Sequence, residues 1–246
     1  MKRNESAVTC LVDELNELNL FNMSAALEDV YNSPEFENLD HLSLIRKLID
    51  AEYAVKIGQR YKNRLKRAYL AGNPQVIDSC RDSKERTYLP TDITSKLSTL
   101  NFIKEGLNVC ILGPSDSGKS YLAKALGIHA CMKYRVSYHH SEALFEELAA
   151  LKGRDYTAFQ KKIRYLVKLD LLILDDFLLH TITNENEVKV LFELIEKRTE
   201  SSKSTIVCSQ REPSSWASMI MNDEVSSNAI MKRATKHYTV VIQPKS

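Results

Sequence analysis

The sequence predicts a doubly wound α/β domain with a five-stranded parallel sheet, preceded by a small all-helical module. Three observations predict it. From residue 108 onward, short apolar runs suited to buried strands alternate with stretches of helical apolar spacing. A glycine-bearing turn joins the first of those runs directly to its helix. Residues 1–75, by contrast, show helical periodicity throughout and no strand-like run. The chain is therefore read as a module over 1–75 and an α/β domain over 76–246.

In the module, Val8, Leu11, Leu15 and Leu18 fall on one helical stripe. A second helix is read over 24–31, with Ser24 as N-cap and Asn32-Ser33-Pro34 as its end. One long helix is read over 40–71, carrying Leu42, Ile45, Ile49, Ile57, Tyr61 and Leu65. Gly58 is its one weak point, and Gly72-Asn73-Pro74 stops it.

The net charge of +2 hides an uneven distribution. Residues 4–40 hold nine carboxylates and no Lys or Arg, whereas 53–73 hold only cations: Lys56, Arg60, Lys62, Arg64, Lys66 and Arg67. Within that stretch no carboxylate offsets the repulsion at i,i+4 spacing. The face suits a polyanion, with a solvated basic helix as the alternative. Tyr53, Tyr61 and Tyr69 suit packing within the module or stacking on bases.

In the α/β domain, the strands are read over 108–112, 136–138, 171–174, 205–210 and 238–242. The helices between them are read over 120–134, from Ser141, over 156–168, 184–200, 214–220 and 224–236. The helix at 156–168 is again basic, with Lys161, Lys162, Arg164 and Lys168. In the connection ahead of the domain, 79–86 reads as a polar loop. Residues 94–104 read as one helix carrying Leu97, Leu100 and Ile103 and ending at Gly106.

Two motifs carry chemistry. Gly113-Pro114-Ser115-Asp116-Ser117-Gly118-Lys119-Ser120, with Tyr121 next, has the G-x-x-x-x-G-K-S spacing of a phosphate-binding loop in its required strand–loop–helix setting. The glycines let backbone N–H groups turn toward phosphate oxygens, and the helix start adds partial positive charge. Lys119 would bridge the outer phosphates and the Ser120 hydroxyl would bind Mg²⁺. The ligand read from this is a nucleoside triphosphate with Mg²⁺, and the helix at 94–104 would wall an adenine pocket. Leu171-Leu172-Ile173-Leu174-Asp175-Asp176 is the Walker B pattern, a strand apolar on both faces that ends in two acids at the edge where open α/β sheets bind ligands. Asp175 is read as a metal ligand and Asp176 as the group that activates or orients water.

The remaining chemistry-bearing residues point elsewhere. Five cysteines are scattered without a C-x-x-C pair, so neither a zinc site nor a disulfide framework is read, and a reducing cytoplasm is the expectation. Cys110 and Cys208 fall inside predicted strands as small apolar residues. His129, His139 and His140 read as surface or packing residues, and His180 follows the acid pair within reach of the site. No apolar run approaches membrane-span length, so no membrane contact is expected.

The order of parts resembles the IstB-like ATPases, the AAA+ helper proteins encoded beside insertion-sequence transposases. The resemblance rests on NVCILGPSDSGKSYLAKAL, LLILDDF, STIVCSQ, the Trp-bearing SSWASMI and SSNAIMKRATKHYTVVI, and on LNLFNMSAALEDV and QRYKNRLKRAYL nearer the start. It covers essentially the whole chain and extends to the DnaC-type helicase loaders. It implies an AAA+ P-loop NTPase without a C-terminal lid, hydrolysing ATP. It implies that Gln210 stands at the first-sensor position and that Arg233 is the arginine offered to a neighbouring subunit's ATP in a homo-oligomer bridged by nucleotide. It also implies binding to double-stranded DNA through the basic helix and partnership with a cognate transposase. Helicase loading and a nucleotide-switched, non-catalytic scaffold are the alternatives. Two segments depart from what relatives usually have: in the phosphate loop, Asp116 replaces a glycine of PPGTGKT, and in the Walker B segment Asp176 stands where many AAA+ proteins have Glu and Leu178 replaces the glycine often found after DDF.

Overall fold

The computed structural model describes residues 5–221 and 224–245, with the Glu224 side chain excepted. The first four residues, where the N-terminal reading begins, lie outside them. The chain divides into two compact units, one ending at Asn63 and one beginning at Arg64. Among the described residues no helix is long and apolar enough to cross a membrane.

The first unit holds α1 (Glu5–Glu17), α2 (Phe21–Asn32) and most of α3 (His41–Arg67). Its packing differs from the predicted stripes. Val12, Leu27 and Tyr31 are its buried large side chains, whereas Leu11, Leu18, Leu42, Ile45, Ile49 and Ile57 are all exposed. α2 begins at Phe21, so Ser24 is a buried residue within the helix and not its cap. The cap comes from far along the chain. Glu52 on α3 accepts the N–H groups of Asn22 (3.0 Å) and Met23 (3.1 Å), two of the donors a helix start leaves unpaired. Glu52 also pairs with Lys56 at 3.3 Å, which corrects the reading of Lys56 as a cation without a carboxylate. The partner stands one residue outside the all-basic stretch. α3 itself starts as read, with Asp40 accepting from Leu42 and Ser43, and runs unbroken through Gly58.

The division between the units falls inside α3, ahead of the Gly72-Asn73-Pro74 stop. The reason is local packing. Ala68 and Leu70 are fully buried, Leu70 against Gly127, and the Ala68 carbonyl accepts the Tyr138 N–H at 3.0 Å. Arg64 donates to the carbonyls of Met132 (2.7 Å) and Cys131 (3.4 Å). The end of the long helix is thus built into the second unit.

That unit continues with β1 (Arg86–Leu89), α4 (Ile93–Ser98), α5 (Asn101–Lys104), β2 (Val109–Leu112), α6 (Lys119–Ala130), β3 (Val136–His140), α7 (Ser141–Arg154), α8 (Tyr156–Lys168), β4 (Leu171–Asp175), α9 (Glu185–Glu200), β5 (Ser204–Ser209), α10 (Trp216–Met219), α11 (Glu224–Thr235) and β6 (Tyr238–Pro244). The sheet order is β1-β6-β2-β5-β4-β3. The five predicted strands are present and all parallel, and a sixth, β1, joins β6 antiparallel at the edge. β1 begins at the last residue of the predicted polar loop and runs through residues for which no element is read, an edge strand needing only one covered face. The helix read over 94–104 is two helices, since Leu100 adopts φ 59° between α4 and α5 while Leu97, Leu100 and Ile103 all stay buried.

Strand residues alternate between two cores. Cys110, Leu112, Leu172, Leu174 and Val207 join side chains of α7, α8, α9 and α11 on one face. On the other, α6 lies against the sheet, with Gly127 so close to Ile173 and Leu70 that no Cβ would fit without a shift. This layering brings the C-terminal ends of β2, β3, β4 and β5 to one edge.

Candidate functional site

The phosphate loop leaves β2 at Gly113 and enters α6 at Lys119. Gly118 sits at φ 102°, a conformation L side chains rarely adopt, and the Arg86 guanidinium occupies the space a Cβ would need. A Cβ on Gly113 would lie 2.7 Å from the Ile242 carbonyl and from Ser117 Oγ, so the loop is walled on both sides. Asp116, where the family pattern has glycine, adopts φ 58°. The position itself asks for glycine, and Asp tolerates it better than most residues. Pro114, Ser115 and Asp116 are not buried, and Ser120 and Tyr121 are partly exposed. Ser117 is buried and its hydroxyl has no hydrogen-bond partner, which is rare in a protein interior and fits a loop shaped around an outside oxygen.

Lys119 is 5% exposed, and its Nζ donates to the Pro114 carbonyl at 2.6 Å. Burial holds its pKa below the usual lysine value, opposed by the nearby Cys208, Asp175, Asp176 and Asp116. Lys119, Asp175 and Asp176 therefore share one electrostatic neighbourhood.

Asp175 closes β4 at 1% exposure. Its Oδ2 accepts the Tyr138 hydroxyl at 2.5 Å, and its Oδ1 accepts the Asp176 N–H at 3.1 Å. Burial, then that hydrogen bond, push the Tyr138 phenol pKa up, so it stays the donor. Asp176 turns out of the strand at φ 52°, and its Oδ2 lies 3.2 Å from His140 Nδ1. Donor atoms of His140, Asp175 and Asp176 all lie within 4.8 Å of one another. Phe177 follows, fully buried against Trp216 (centroids 5.1 Å apart), with its N–H on the Cys208 carbonyl. The Trp-bearing helix thus anchors the turn carrying the acids. Leu178, the second departure from glycine, sits at φ 53°, a conformation costing about 1–2 kcal/mol for an L residue, and its burial offsets that cost.

Cys110 and Cys208 are buried in β2 and β5 as read. Gln210 is exposed just past the end of β5, at the same sheet edge. Arg233 lies on α11, where its carbonyl accepts from the Asn108 side-chain amide at 2.8 Å. It pairs with Glu196 at 3.2 Å, lies over the Phe192 ring and donates to the Ala229 carbonyl. Of the cations read as polyanion contacts, Arg60, Lys62, Lys66 and Arg67 are exposed, Lys56 is paired and Arg64 is engaged with carbonyls. On α8, Lys162 pairs with Glu147 at 3.0 Å. His180 faces Glu142 at 3.1 Å, beside a pocket that Asp176 also lines.

Sequence reading misses three residues of the site. Tyr138 and His140 lie at the end of the strand next to β4, so only the strand order places them beside the acids. Arg86 comes from β1, a strand without a local signature, and its guanidinium donates to the Ser117 carbonyl at 3.2 Å.

A phosphate loop and an acid pair at the C-terminal edge of a doubly wound parallel sheet define a P-loop nucleotide-binding fold. The chain belongs to the family of IstB-like ATP binding proteins, whose model matches residues 13–246. It is 32% identical over 224 residues to the putative insertion sequence ATP-binding protein y4pL of Sinorhizobium fredii, spanning 90% of this chain and 88% of that one. Its fold is like that of replication initiator DnaA bound to AMPPCP and single-stranded DNA (TM-score 0.55, 19% identity), covering 70% of this chain and 50% of that one. The chain thus spans about half the length of that initiator. The DnaC helicase loader is similar in fold too (TM-score 0.51, 20% identity), over 69% of this chain and 97% of the loader.

Proposed function

We propose that this protein is an ATP-dependent, DNA-binding transposition helper. It assembles on double-stranded DNA, activates or directs a partner transposase, and resets the assembly by hydrolysing ATP. The observation that carries the reading is the meeting of Lys119, Asp175 and Asp176 at one sheet edge, in a chain whose relative in Sinorhizobium fredii is an insertion-sequence ATP-binding protein.

The loop's backbone and Lys119 bind the phosphates of ATP. Ser120 and Asp175 would hold Mg²⁺, and the donor set fits a hard cation: a hydroxyl and carboxylate oxygens, the Asp175 carboxylate already oriented by two hydrogen bonds. When bound, such an ion neutralises charge on the phosphates. Asp176 orients and deprotonates the attacking water, with His140 fixing its carboxylate. Gln210 polarises the terminal phosphate or the water from the end of β5. Arg233 serves a neighbouring subunit's site. Its side chain is 28% exposed and its partner Glu196 37%, and a pair that open contributes about 0–1 kcal/mol, so its release costs little against what a finger supplies. The exposed cations of α3 contact DNA phosphates, with domain roles divided as the sequence suggests, the helical module for DNA and partner and the α/β domain for ATP. The site of action is the cytoplasm.

The test is retention of duplex DNA on a filter with and without ATP across a salt series. ATP-stimulated retention that falls steeply with salt is expected; retention indifferent to both sinks the reading. A second reading, a scaffold switched by ATP without turnover, draws on the engagement of Asp176 by His140. Phosphate release at background level with ATP affinity intact would favour it.

A further inference from the structure

One residue stands between the end of the basic helix and the acids of β4. Residues 64–70 end the basic helix and reach the edge strand β3 through Ala68 and Tyr69. Within them Lys66, Arg67 and Tyr69 are exposed, while Ala68 and Leu70 are buried. The Ala68 carbonyl holds the N–H of Tyr138, and the exposed Tyr69 ring meets His139 edge-on at 5.4 Å. The side chain of Tyr138 reaches the acids, its hydroxyl 2.5 Å from Asp175 Oδ2. The Tyr138 ring carries the Lys124 ammonium over its face at 4.9 Å and touches His140 edge-on at 5.6 Å; His140 in turn engages Asp176. Every link is a hydrogen bond or ring contact inside one compact unit.

We propose that Tyr138 is a positioning residue coupling the polyanion-binding segment 64–70 to the carboxylate of Asp175. A polyanion seated on Lys66 and Arg67 fixes the Ala68–Tyr138 backbone bond, and the hydroxyl of the same residue then fixes the rotamer of Asp175. The reasons are geometric. Asp175 is buried with three donors beside it, its own neighbour's N–H, the Cys208 thiol and Tyr138, and of these Tyr138 is the one bonded to the polyanion-binding segment. A hydroxyl orienting a metal-binding carboxylate is an outer-shell partner, and removing such a partner commonly weakens metal binding by about 10–100-fold. Linkage then works both ways: whatever the polyanion adds to metal–nucleotide affinity, the metal–nucleotide adds to polyanion affinity. This deepens the function proposed above and rests on it for the identity of the polyanion.

The test uses the full chain with Tyr138→Phe, which keeps the ring and removes the hydroxyl, and with Ser137→Ala as a matched hydroxyl deletion in the same strand. Ser137 bonds His139 rather than either acid. Two readouts apply: Mn²⁺ affinity in the presence of an ATP analogue, followed by electron paramagnetic resonance, and duplex DNA affinity with and without the metal–nucleotide. For Tyr138→Phe the expected result is Mn²⁺ affinity reduced about tenfold or more. DNA affinity without nucleotide should be unchanged, and the enhancement by nucleotide abolished. Ser137→Ala should leave both readouts at the wild-type level. Mn²⁺ affinity close to that of wild type, or a full nucleotide enhancement in Tyr138→Phe, overturns the proposal. A wild-type protein that binds no DNA under any condition overturns the function reading itself and the coupling with it. Wild-type enhancement that survives in Tyr138→Phe overturns only the coupling, so the two failures are distinguishable.

Discussion

The strand-end site and the outer half of α3 are both rich in charge, and they treat it in opposite ways. At the strand ends the loop lysine and the two acids are held: Lys119 by a carbonyl, Asp175 by Tyr138 and the Asp176 N–H, Asp176 by His140. Along α3, Arg60, Lys62, Lys66 and Arg67 are exposed to solvent with no carboxylate partner among the described residues. The contrast fits the tasks proposed for the two regions. Phosphoryl chemistry requires groups fixed before the reactants arrive, because reorganisation at the moment of reaction would cost the advantage. A polyanion requires only cation density, since its affinity comes from counterions released along its length. Rigid charge belongs to chemistry, and loose charge to a lattice of phosphates.

That contrast is open to breakage by mutation. The largest effect is expected from Lys119→Ala, which should weaken ATP binding on the order of 100-fold while leaving nucleotide-free DNA affinity unchanged. Titration with a fluorescent ATP analogue and a parallel DNA titration check both halves; a joint decrease would mean the two regions are one. Next comes Asp176→Asn, expected to slow single-turnover hydrolysis on the order of 100-fold at unchanged nucleotide affinity, whereas Asp175→Asn should lose Mg²⁺-dependent binding. Identical phenotypes would erase the division between the acids.

Reversal of Arg60, Lys62 and Arg67 to Glu addresses the loose region. It should lower the slope of log affinity for duplex DNA against log salt by roughly 0.9 for each phosphate no longer neutralised, with nucleotide affinity untouched. Arg64 is left out of that set because its bonds to Cys131 and Met132 make it part of the packing. The smallest effect is expected from Asp116→Gly. Relief of the φ 58° conformation and removal of a carboxylate beside the phosphates should tighten ATP binding by about two- to fivefold, or ~0.5–1 kcal/mol. Weaker binding in this variant would show that the aspartate had become a contact in its own right.

What is legible in the sequence, and what is not, divides by range. The loop after β2 and the acids after β4 are legible because each is a run of neighbours: an apolar strand, then polar groups at fixed offsets. The five parallel strands are legible for the same reason. β1 is not, because its partner β6 lies near the other end of the chain and its own residues carry no apolar run. The cap of α2 is misread as Ser24 because the true acceptor, Glu52, sits 30 positions from Asn22. The break at Leu100 carries no glycine or proline to announce it. Tyr138 and His140 need the strand order before their proximity to the acids means anything.

The placement of β6 has a consequence for how the protein comes into being. The strand that carries the phosphate loop lies between β5 and β6, both translated long after it, and the Ile242 carbonyl forms part of the wall around Gly113. A ribosome that has released both signature motifs has therefore released a loop with one side missing. Emerging chains should be unable to hold nucleotide until β6 has left the exit tunnel and docked. Ligand capture would then be a late event of biogenesis, and ATP in the surrounding solution would favour the finished chain over its precursors.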